Sequence, residues 1–330
     1  MAVRTRQAFY GGPFRTAGVL HNAWIAGIIG QDAAVGRQKA LAPRSAIDGK
    51  CFPHRRRVIP SVAERSAAVP LVCWQVDGRR ARLELPPLSG WLDMEYLAAG
   101  ITGLSIGGWT LEPPPRAGNI AAQGTSSVPQ GLLGLELPGE AGRAPLPAEW
   151  YTRQCDLVAW FSAGAERPVE VHTIWRGVPG GEEEAFAAAM DLIIGVRTYC
   201  LEANPGLSVV SWLPASDVIP VGLAEEGAAG PWAWSKVGPP AAAYLFRIGG
   251  GWSYAEMLHP ATRGESRWRS MCPGMAEVRH CLFAEPAEKL EKGVLLRAWI
   301  RGVLIPEDGD VRRVGCIYSA LADSEPPLDA

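Results

Sequence analysis

The chain has 330 residues, a formal net charge of −2 at pH 7, and a composition that is 48% hydrophobic and 20% charged. These values are typical of a globular protein with one large or two ordinary cores, and the net charge by itself favours no class of partner. No apolar run is long enough to span a bilayer as a helix.

The charge is distributed unevenly along the chain. Residues 1–57 contain ten Lys or Arg against two acidic residues, a local charge of +8, whereas the rest of the chain has a surplus of acidic residues. A basic segment of this kind is typical of an arm that contacts nucleic acid or another anionic surface. Its basic residues are scattered and lack interleaved aromatic residues, which favours a solvated, poorly ordered leader. We therefore predict that residues 1–65 form a basic, irregular N-terminal segment.

The seven cysteines are widely spaced, with no C-x-x-C pair, and none of the five histidines lies at i+2 or i+4 from another. No signal-peptide pattern is recognisable near residue 1. We therefore expect reduced thiols, a cytoplasmic location, no bound metal and no cofactor. The common phosphate-binding and hydrolase motifs are also missing, so no frequent enzyme class is indicated.

The first clear element is a hairpin at residues 72–85, where two alternating runs flank Asp77-Gly78. Asp-Gly favours a tight type I′ turn, because both central residues of that turn need a positive φ. A further strand is predicted over residues 91–97, with Asp93 and Glu95 on one face. Side chains at i and i+2 on a strand start about 6.5–7 Å apart, within reach of a glycosidase acid–base pair. Asp93 and Glu95 are therefore candidate catalytic residues.

Glycine and proline dominate residues 100–147. Leu104–Leu111 is a candidate strand, and residues 113–115 and 118–130 are predicted to be exposed loop. The loop divides the β-rich sequence into residues 66–148 and residues 149–330. An alternative is one continuous β domain over residues 66–330.

Three more hairpins are predicted further along the chain. They pair residues 156–161 with 169–175, 190–201 with 207–213, and 244–248 with 252–258. The sequence from Glu182 onward also has good helix propensity, but the alternation of apolar residues favours a strand over 190–201.

The cleanest alternation in the chain is at Val294–Pro306, and a helical stripe follows at Val311–Ala322, with Asp310 as the predicted N-cap. Several hairpins with few helices predict a predominantly all-β fold. The expected architecture is β-sandwich-like, with antiparallel sheets built from hairpins and a short C-terminal helix.

The densest polar neighbourhood contains Tyr254, Glu256 and His259 on one strand and Arg279 and His280 on the next. Glu256 is the third candidate catalytic residue, as a base or a ligand contact with an arginine as its charge partner. The alternative is an outward-facing polar strip on a sheet.

Candidate ligand-binding residues are cationic and aromatic. Arg297, Trp299 and Arg301 share one strand face and could grip an anion and stack on a ring. Trp232 and Trp234 occupy a proline-bounded loop and are a candidate aromatic platform. The alternatives are cross-strand ion pairs for the arginines and burial for the tryptophans.

Three functions follow from these features. The first is a non-enzymatic binding or assembly protein for a carbohydrate or a protein partner, because hairpins and tryptophans are abundant and catalytic motifs are missing. The second is a carbohydrate-active enzyme on a β-sandwich that uses Asp93, Glu95 or Glu256. The third is a nucleic-acid-associated protein that uses residues 1–57. Fold class alone does not decide among them.

Overall fold

A computed structural model describes residues 73–111, 130–137, 146–164, 167–181, 184–215, 217–223, 234–236, 241–283 and 289–327. All of them lie in one compact unit that spans residues 65–330. The basic segment of residues 1–57 and Trp232 lie outside the described ranges.

The described residues form strands, one helix and a 3-10 turn at Leu97–Ala99. The elements are β1 Trp74–Asp77, β2 Arg80–Leu85, β3 Leu88–Asp93, β4 Ile101–Ile106, β5 Trp109–Thr110, β6 Gly131–Glu136, β7 Glu149–Arg153, β8 Asp156–Phe161, β9 Val169–Pro179, β10 Ala188–Thr198, β11 Glu202–Ala203, β12 Leu207–Pro214, β13 Val218–Leu223, β14 Trp234–Lys236, β15 Ala243–Gly249, β16 Trp252–Leu258, β17 Gly264–Cys272, β18 Met275–Leu282, β19 Leu290–Glu291, β20 Leu295–Pro306 and α1 Asp310–Ala322.

Two large antiparallel sheets account for most of these strands. The first sheet has the order β1-β2-β3-β4-β6-β12-β18-β17, with β5 paired to β4. The second has the order β14-β13-β15-β16-β20-β10-β9-β8-β7, and β11 pairs with β19 in a small separate sheet. The predicted all-β, antiparallel, sandwich-like fold with a short C-terminal helix is confirmed. Strand β6, which lies within the Gly/Pro-rich stretch of residues 100–147, is hydrogen-bonded to β12.

The main core lies between the two sheets. Apolar side chains of the first sheet, such as Trp74 and Leu85, pack in one buried cluster with Trp175 and Phe246 of the second. The indole Nε1–H of Trp74 donates to the carbonyl oxygen of Trp175 at 3.0 Å, so the polar atom of this buried ring is satisfied. Large apolar residues on facing strands therefore join the sheets face to face.

The second sheet is also covered on part of its outer face. Helix α1 places Val314, Ile317 and Leu321 in a second buried cluster with outer-face residues of β13, β15, β16 and β20. Every residue of β10 except Arg197 is buried. Because both faces of β10 are buried, polar residues are not needed at every second position, and the strand is apolar almost throughout.

The alternation at Val294–Pro306 is confirmed. Ile300 and Leu304 of β20 face the first sheet, whereas Trp299 and Val303 belong to the outer cluster under α1. Hydrogen bonds pair β20 with β16 on one side and with β10 on the other. This strand is therefore central in its sheet.

Three of the four predicted hairpins are confirmed as β1–β2, β8–β9 and β15–β16. In the first, Asp77 pairs with Arg80, so the turn residues are Gly78 and Arg79 rather than Asp77-Gly78. The hairpin predicted between residues 190–201 and 207–213 is wrong. The chain instead leaves β10 in the second sheet and enters β12 in the first. Both strands point apolar side chains into the core between the sheets, so they pack against each other's sheets rather than pairing.

Strand β6, with the sequence G-L-L-G-L-E, lies in the Gly/Pro-rich stretch, and no strand was predicted there. Its glycines lie against neighbouring backbone: a Cβ at Gly131 would be 1.9 Å from the carbonyl oxygen of Ala99, and one at Gly134 would be 2.3 Å from that of Ala98. Glycine lowers strand propensity but is required where two backbones approach this closely.

The structure corrects the predicted N-cap of α1. The N-cap of α1 is Gly309, with φ +69°, and Asp310 is the first helical residue. The buried Asp310 carboxylate accepts hydrogen bonds from the backbone N–H of Val311 and from Ser253 Oγ, so it anchors the helix to β16.

The expectation that all cysteines are reduced is wrong for one pair, because Cys73 and Cys155 form a disulfide with Cα atoms 4.5 Å apart. The bond joins the residue before β1 to the β7–β8 turn. It therefore links one edge of the first sheet to one edge of the second.

We expect Gly302→Ala to destabilise the fold by about 2–3 kcal/mol, because overpacking a filled core forces neighbours to move. A Cβ at Gly302 would lie 2.1 Å from the hydroxyl oxygen of the buried Tyr254. Urea unfolding measures the change. Gly195→Ala is the matched control on the adjacent strand β10, since its Cβ meets ordinary contacts at 3.6 and 3.7 Å. Equal stability of the two variants would contradict this packing.

Candidate functional site

A polar network crosses the core between the two sheets. The Glu256 carboxylate on β16 accepts hydrogen bonds from Ser211 Oγ on β12 and from the Tyr254 hydroxyl, the latter at 2.8 Å. His280 Nε2 on β18 lies 3.1 Å from the other carboxylate oxygen, and Ser266 Oγ lies 2.7 Å from His280 Nδ1. A buried carboxylate needs such partners, because an unpaired charge in the core is strongly destabilising.

The predicted polar neighbourhood is thus only partly brought together. Tyr254, Glu256 and His280 meet, but Arg279 binds Glu136 and Glu277 on the first sheet. Ser211, Glu256 and His280 are each 0% exposed, so solvent does not reach the network. Burial and the carboxylate together raise the pKa of Tyr254 well above its ordinary value. The arrangement ties the sheets together.

Replacing Glu256 by Leu should cost about 3–5 kcal/mol of stability, because breaking a buried charged network leaves the remaining groups without partners. Urea unfolding followed by circular dichroism measures this. The control is Glu265→Leu at an exposed position of β17, for which we expect a change below about 0.5 kcal/mol. If Glu256→Leu is as stable as the control, the network does not join the sheets.

The predicted carboxylate pair lies on the first sheet. Strand β3 ends at Asp93, and Glu95 is in the following turn rather than on the strand. Asp93 Oδ2 accepts from Arg80 Nε at 3.0 Å, and Glu95 is paired with Arg79. Each carboxylate therefore has an arginine partner on the β1–β2 hairpin.

The outer face of the second sheet carries a row of alternating charges across four strands. Strand register places Asp156, Arg176, Asp191 and Arg301 side by side on β8, β9, β10 and β20. Arg176 Nε donates to Asp156 at 2.8 Å, and Arg301 Nε donates to Asp191 at 2.7 Å. Burial alone would raise the pKa of Asp156, but its bonds with Arg176 and Arg153 outweigh burial and lower it. Directly opposed charges of this kind stabilise a sheet.

This row explains the placement of two predicted ligand-binding residues. Arg301 is engaged with Asp191, and its guanidinium lies 5.2 Å from the centre of the Trp299 ring. Trp299 is only 6% exposed and stacks on His259, with ring centres 5.2 Å apart. Trp234 lies in β14, whose backbone alone is described.

A cavity of about 410 Å³ opens on the outer face at the ends of β9, β10 and β20. Its lining residues are His172, Gly195, Arg197, Thr198, Tyr199, Lys292, Gly293, Val294 and Leu295. Gly195 pairs with His172 on one side and with Arg297 on the other. Because glycine has no side chain, it leaves space between these two neighbours on the sheet surface. Of the predicted ligand-binding residues, Arg297 lies beside this cavity.

Arg197 organises one side of the cavity. Its guanidinium lies 5.6 Å from the centre of the Trp160 ring and 5.4 Å from that of Tyr199, and its Nε donates to Glu170. The Tyr199 hydroxyl also donates to Glu170, at 3.3 Å. Cation–π contact and a charged hydrogen bond fix the guanidinium. Tyr199 is 59% exposed, so an aromatic face borders the opening.

His172 is the titratable group on the other side of the cavity. Its ring is tilted against Trp160, with centres 4.4 Å apart, and its Nε2 lies 3.3 Å from Glu170 Oε1 without the alignment of a hydrogen bond. Burial lowers the pKa of the imidazole, Glu170 opposes this effect and Arg197 adds to it. Burial therefore favours the neutral form of the imidazole.

Sequence reasoning missed most of this cavity. His172, Arg197, Tyr199 and Lys292 are separated by up to 120 positions along the chain, and only strand register brings them together. The one usable signal was polar residues at the ends of otherwise apolar strands. Among the described residues, no cluster of three or more metal-ligating side chains occurs, and no helix is long and apolar enough to cross a membrane.

No protein-family model and no curated protein matches the chain. Solved structures with a similar fold include a provisionally assigned aldose 1-epimerase from Escherichia coli K12, at 9% identity and TM-score 0.42, covering 68% of this chain and 98% of that one. Another, from Klebsiella pneumoniae, has 9% identity and TM-score 0.43 and covers 77% and 87%. A polysaccharide lyase has 11% identity and TM-score 0.37 and covers 74% and 35%. Likeness at this level assigns neither a family nor an activity.

The lowered pKa of His172 makes stability depend on pH. The unfolded chain binds a proton at this residue near pH 6.5, whereas the folded protein does so only at lower pH. The free energy of unfolding therefore falls as the pH decreases below about 6.5. We expect His172→Gln to remove this contribution, so that the stability difference between variant and wild type changes between pH 7.5 and 5. A difference that is independent of pH would contradict the assigned direction.

Proposed function

We propose that the chain is a saccharide-binding protein and that its ligand occupies the outer-face cavity beside Tyr199. The observation that carries the proposal is an exposed aromatic ring at the mouth of a cavity that also holds fixed hydrogen-bonding side chains. Sugar rings have apolar C–H faces and polar edges, so they need both kinds of contact. Ligand sites commonly combine an apolar lining with a few placed polar groups.

An apolar surface supports this proposal. Tyr199, Leu201, Val294 and Leu295 are all exposed by more than 40%, and three of them line the cavity. They come from the end of β10 and the start of β20, which lie side by side. Clustered exposed apolar side chains are more informative than scattered ones, because they mark interaction sites.

Prearranged polar groups also support it. Arg197 is held by Glu170 and Trp160 before any ligand arrives. The buried Thr198 hydroxyl, which donates to the carbonyl oxygen of Pro168 at 2.6 Å and accepts from the backbone N–H of Cys200, fixes the chain at the end of β10. Side chains fixed in advance lose little entropy on binding, which favours affinity.

A carbohydrate-active enzyme at the same cavity is a second candidate. The observation that favours it is the proximity of a carboxylate and an imidazole, Glu170 and His172, at the cavity edge. Such a pair can move a proton to and from a sugar hydroxyl. Turnover that is lost in His172→Gln while binding persists would favour this candidate. The cavity lining includes His172 but not Asp93, Glu95 or Glu256.

The remaining hypotheses stay predictions. Nucleic-acid binding was assigned to residues 1–57, which lie outside the described ranges. A cytoplasmic location is also a prediction, and the Cys73–Cys155 disulfide is a feature more typical of oxidising compartments.

Saturation-transfer NMR against a panel of soluble mono- and disaccharides tests the proposal. We expect at least one sugar to bind, and Tyr199→Ala to weaken that binding about tenfold by removing the stacking surface. Gly195→Leu should abolish it, because a Cβ fits at Gly195 and the longer side chain then fills the cavity floor.

Tyr96→Ala is the matched control, since Tyr96 is 56% exposed and lies beside the first sheet. Its binding should equal that of the wild type. Thermal unfolding of each variant establishes that the fold is retained. If no sugar binds, or if Tyr96→Ala and Tyr199→Ala weaken binding equally, the cavity is not a saccharide site.

A further inference from the structure

We infer that the saccharide bound in the outer-face cavity carries an anionic group, a carboxylate or a phosphate, which Arg297 and Lys292 bind. This inference rests on the proposed function, because it names the chemical class of the ligand for the same site. The neutral parts of a sugar would be held by Tyr199 and its apolar neighbours. The anionic group would be held on the β20 side of the cavity.

The charge of the cavity is the first observation. Among its nine described lining residues, Arg197 and Lys292 are cations and none is a carboxylate. Glu170, the nearest acid in the cluster, is paired with Arg197, so these two charges balance each other and Lys292, with the neighbouring Arg297, supplies the positive surplus. A partly enclosed surface with a surplus of one charge attracts ligands of the opposite charge.

The position of Arg297 is the second observation. Arg297 lies directly opposite Gly195 across the β10–β20 pair, on the outer face. Directly opposed residues have Cβ positions about 5 Å apart, so the empty side-chain position of Gly195 adjoins the Arg297 side chain. The other flank of Arg297, on β20, is formed by Leu295 and Trp299.

An unmatched set of N–H donors is the third observation. Within the part of the chain that the structure describes, Arg297 Nε and the indole Nε1 atoms of Trp160 and Trp299 are buried and have no hydrogen-bond partner. The charged row four residues further along these strands differs, because Arg176 and Arg301 there are matched by Asp156 and Asp191. Arg297, in contrast, has no acidic partner on β10, because the residue directly opposite it is Gly195.

These observations favour an acceptor-rich anion over a neutral sugar. A guanidinium forms paired hydrogen bonds with a carboxylate or phosphate, and five N–H groups are available on its planar fork. Only Nε of Arg197 is bonded to Glu170, so the other N–H groups of that guanidinium need further acceptors. Lys292 adds a flexible positive charge at the rim.

Isothermal titration with D-glucose, D-glucuronate, D-glucose 6-phosphate and inorganic phosphate tests the inference. We expect one of the two charged sugars to bind at least about tenfold more tightly than glucose. Glucuronate and glucose 6-phosphate distinguish a carboxylate from a phosphate as the preferred anion. The preference should decrease as salt increases, because ions screen exposed charges.

The variants are Arg297→Met and Lys292→Met, which keep an unbranched apolar side chain and remove the charge. Each should reduce the charged-over-neutral preference about tenfold while leaving glucose binding within about twofold. The control Arg267→Met removes one exposed positive charge from β17 on the first sheet and should change nothing. Unfolding midpoints equal to wild type show that each variant is folded.

The outcomes separate the two proposals. Equal binding of glucose and both charged sugars would overturn the anionic inference and leave saccharide binding intact. Inorganic phosphate that binds as tightly as glucose 6-phosphate would show that the sugar is not recognised, which overturns the proposed function. Binding of neither neutral nor charged sugar would overturn both. A preference that Arg267→Met removes as strongly as Arg297→Met would show a long-range charge effect and no site.

Discussion

The second sheet must bury two faces, and within the described ranges one helix of 13 residues supplies most of the cover on its outer side. The inner face is covered by the first sheet, which requires large apolar residues on both. Helix α1 covers the outer face over β13–β16 and β20. The outer face of β8–β10 is covered only in part: Ile174, Ala189 and Ile193 join the outer cluster, whereas residues near the ends of β9 and β10 line the open cavity.

Two kinds of residue complete this part of the outer face. Nearest the helix, acids and arginines alternate across the strands and satisfy one another, as in the Asp191–Arg301 pair. Further from it, Gly195 interrupts the surface and a cavity opens between basic and aromatic side chains. A sheet held rigidly from behind positions these side chains precisely, because backbone strands move less than loops. A ligand can therefore bind on a part of the sheet surface that is not required for packing of the core.

The fold was predictable where local pattern and tertiary environment agree. The alternation in β20 and three hairpins reflect period-2 burial, which sequence records directly. Strand β6 was not predictable, because Gly131 and Gly134 are needed for backbone approach to residues that are distant in sequence. The β10–β12 connection was not predicted, because strands joined by a short turn usually pair in the same sheet. Here the two strands belong to different sheets, and each sheet covers the apolar face of the other.

The site was predictable only in part. Glu256 and His280 were grouped from strands that follow one another in the sequence, but they meet across the core from opposite sheets, and Ser211 joins them from a third strand. Arg297 was singled out from one strand face, whereas its partner position, Gly195, carries no chemical signal by itself. The aromatic platform was predicted at Trp232, Trp234 and Trp299, yet the exposed ring beside the cavity is Tyr199, whereas Trp299 is buried in the cluster under α1.

Mapping amide chemical shifts during a saccharide titration tests the central claim most directly. If the outer-face cavity holds the sugar, the amides of His172, Gly195, Tyr199 and Leu295 shift together and saturate with one dissociation constant. Strands β1–β4 of the first sheet then serve as an internal reference and do not shift. Shifts confined to the first sheet, or a protein whose spectrum no saccharide changes, would contradict the claim.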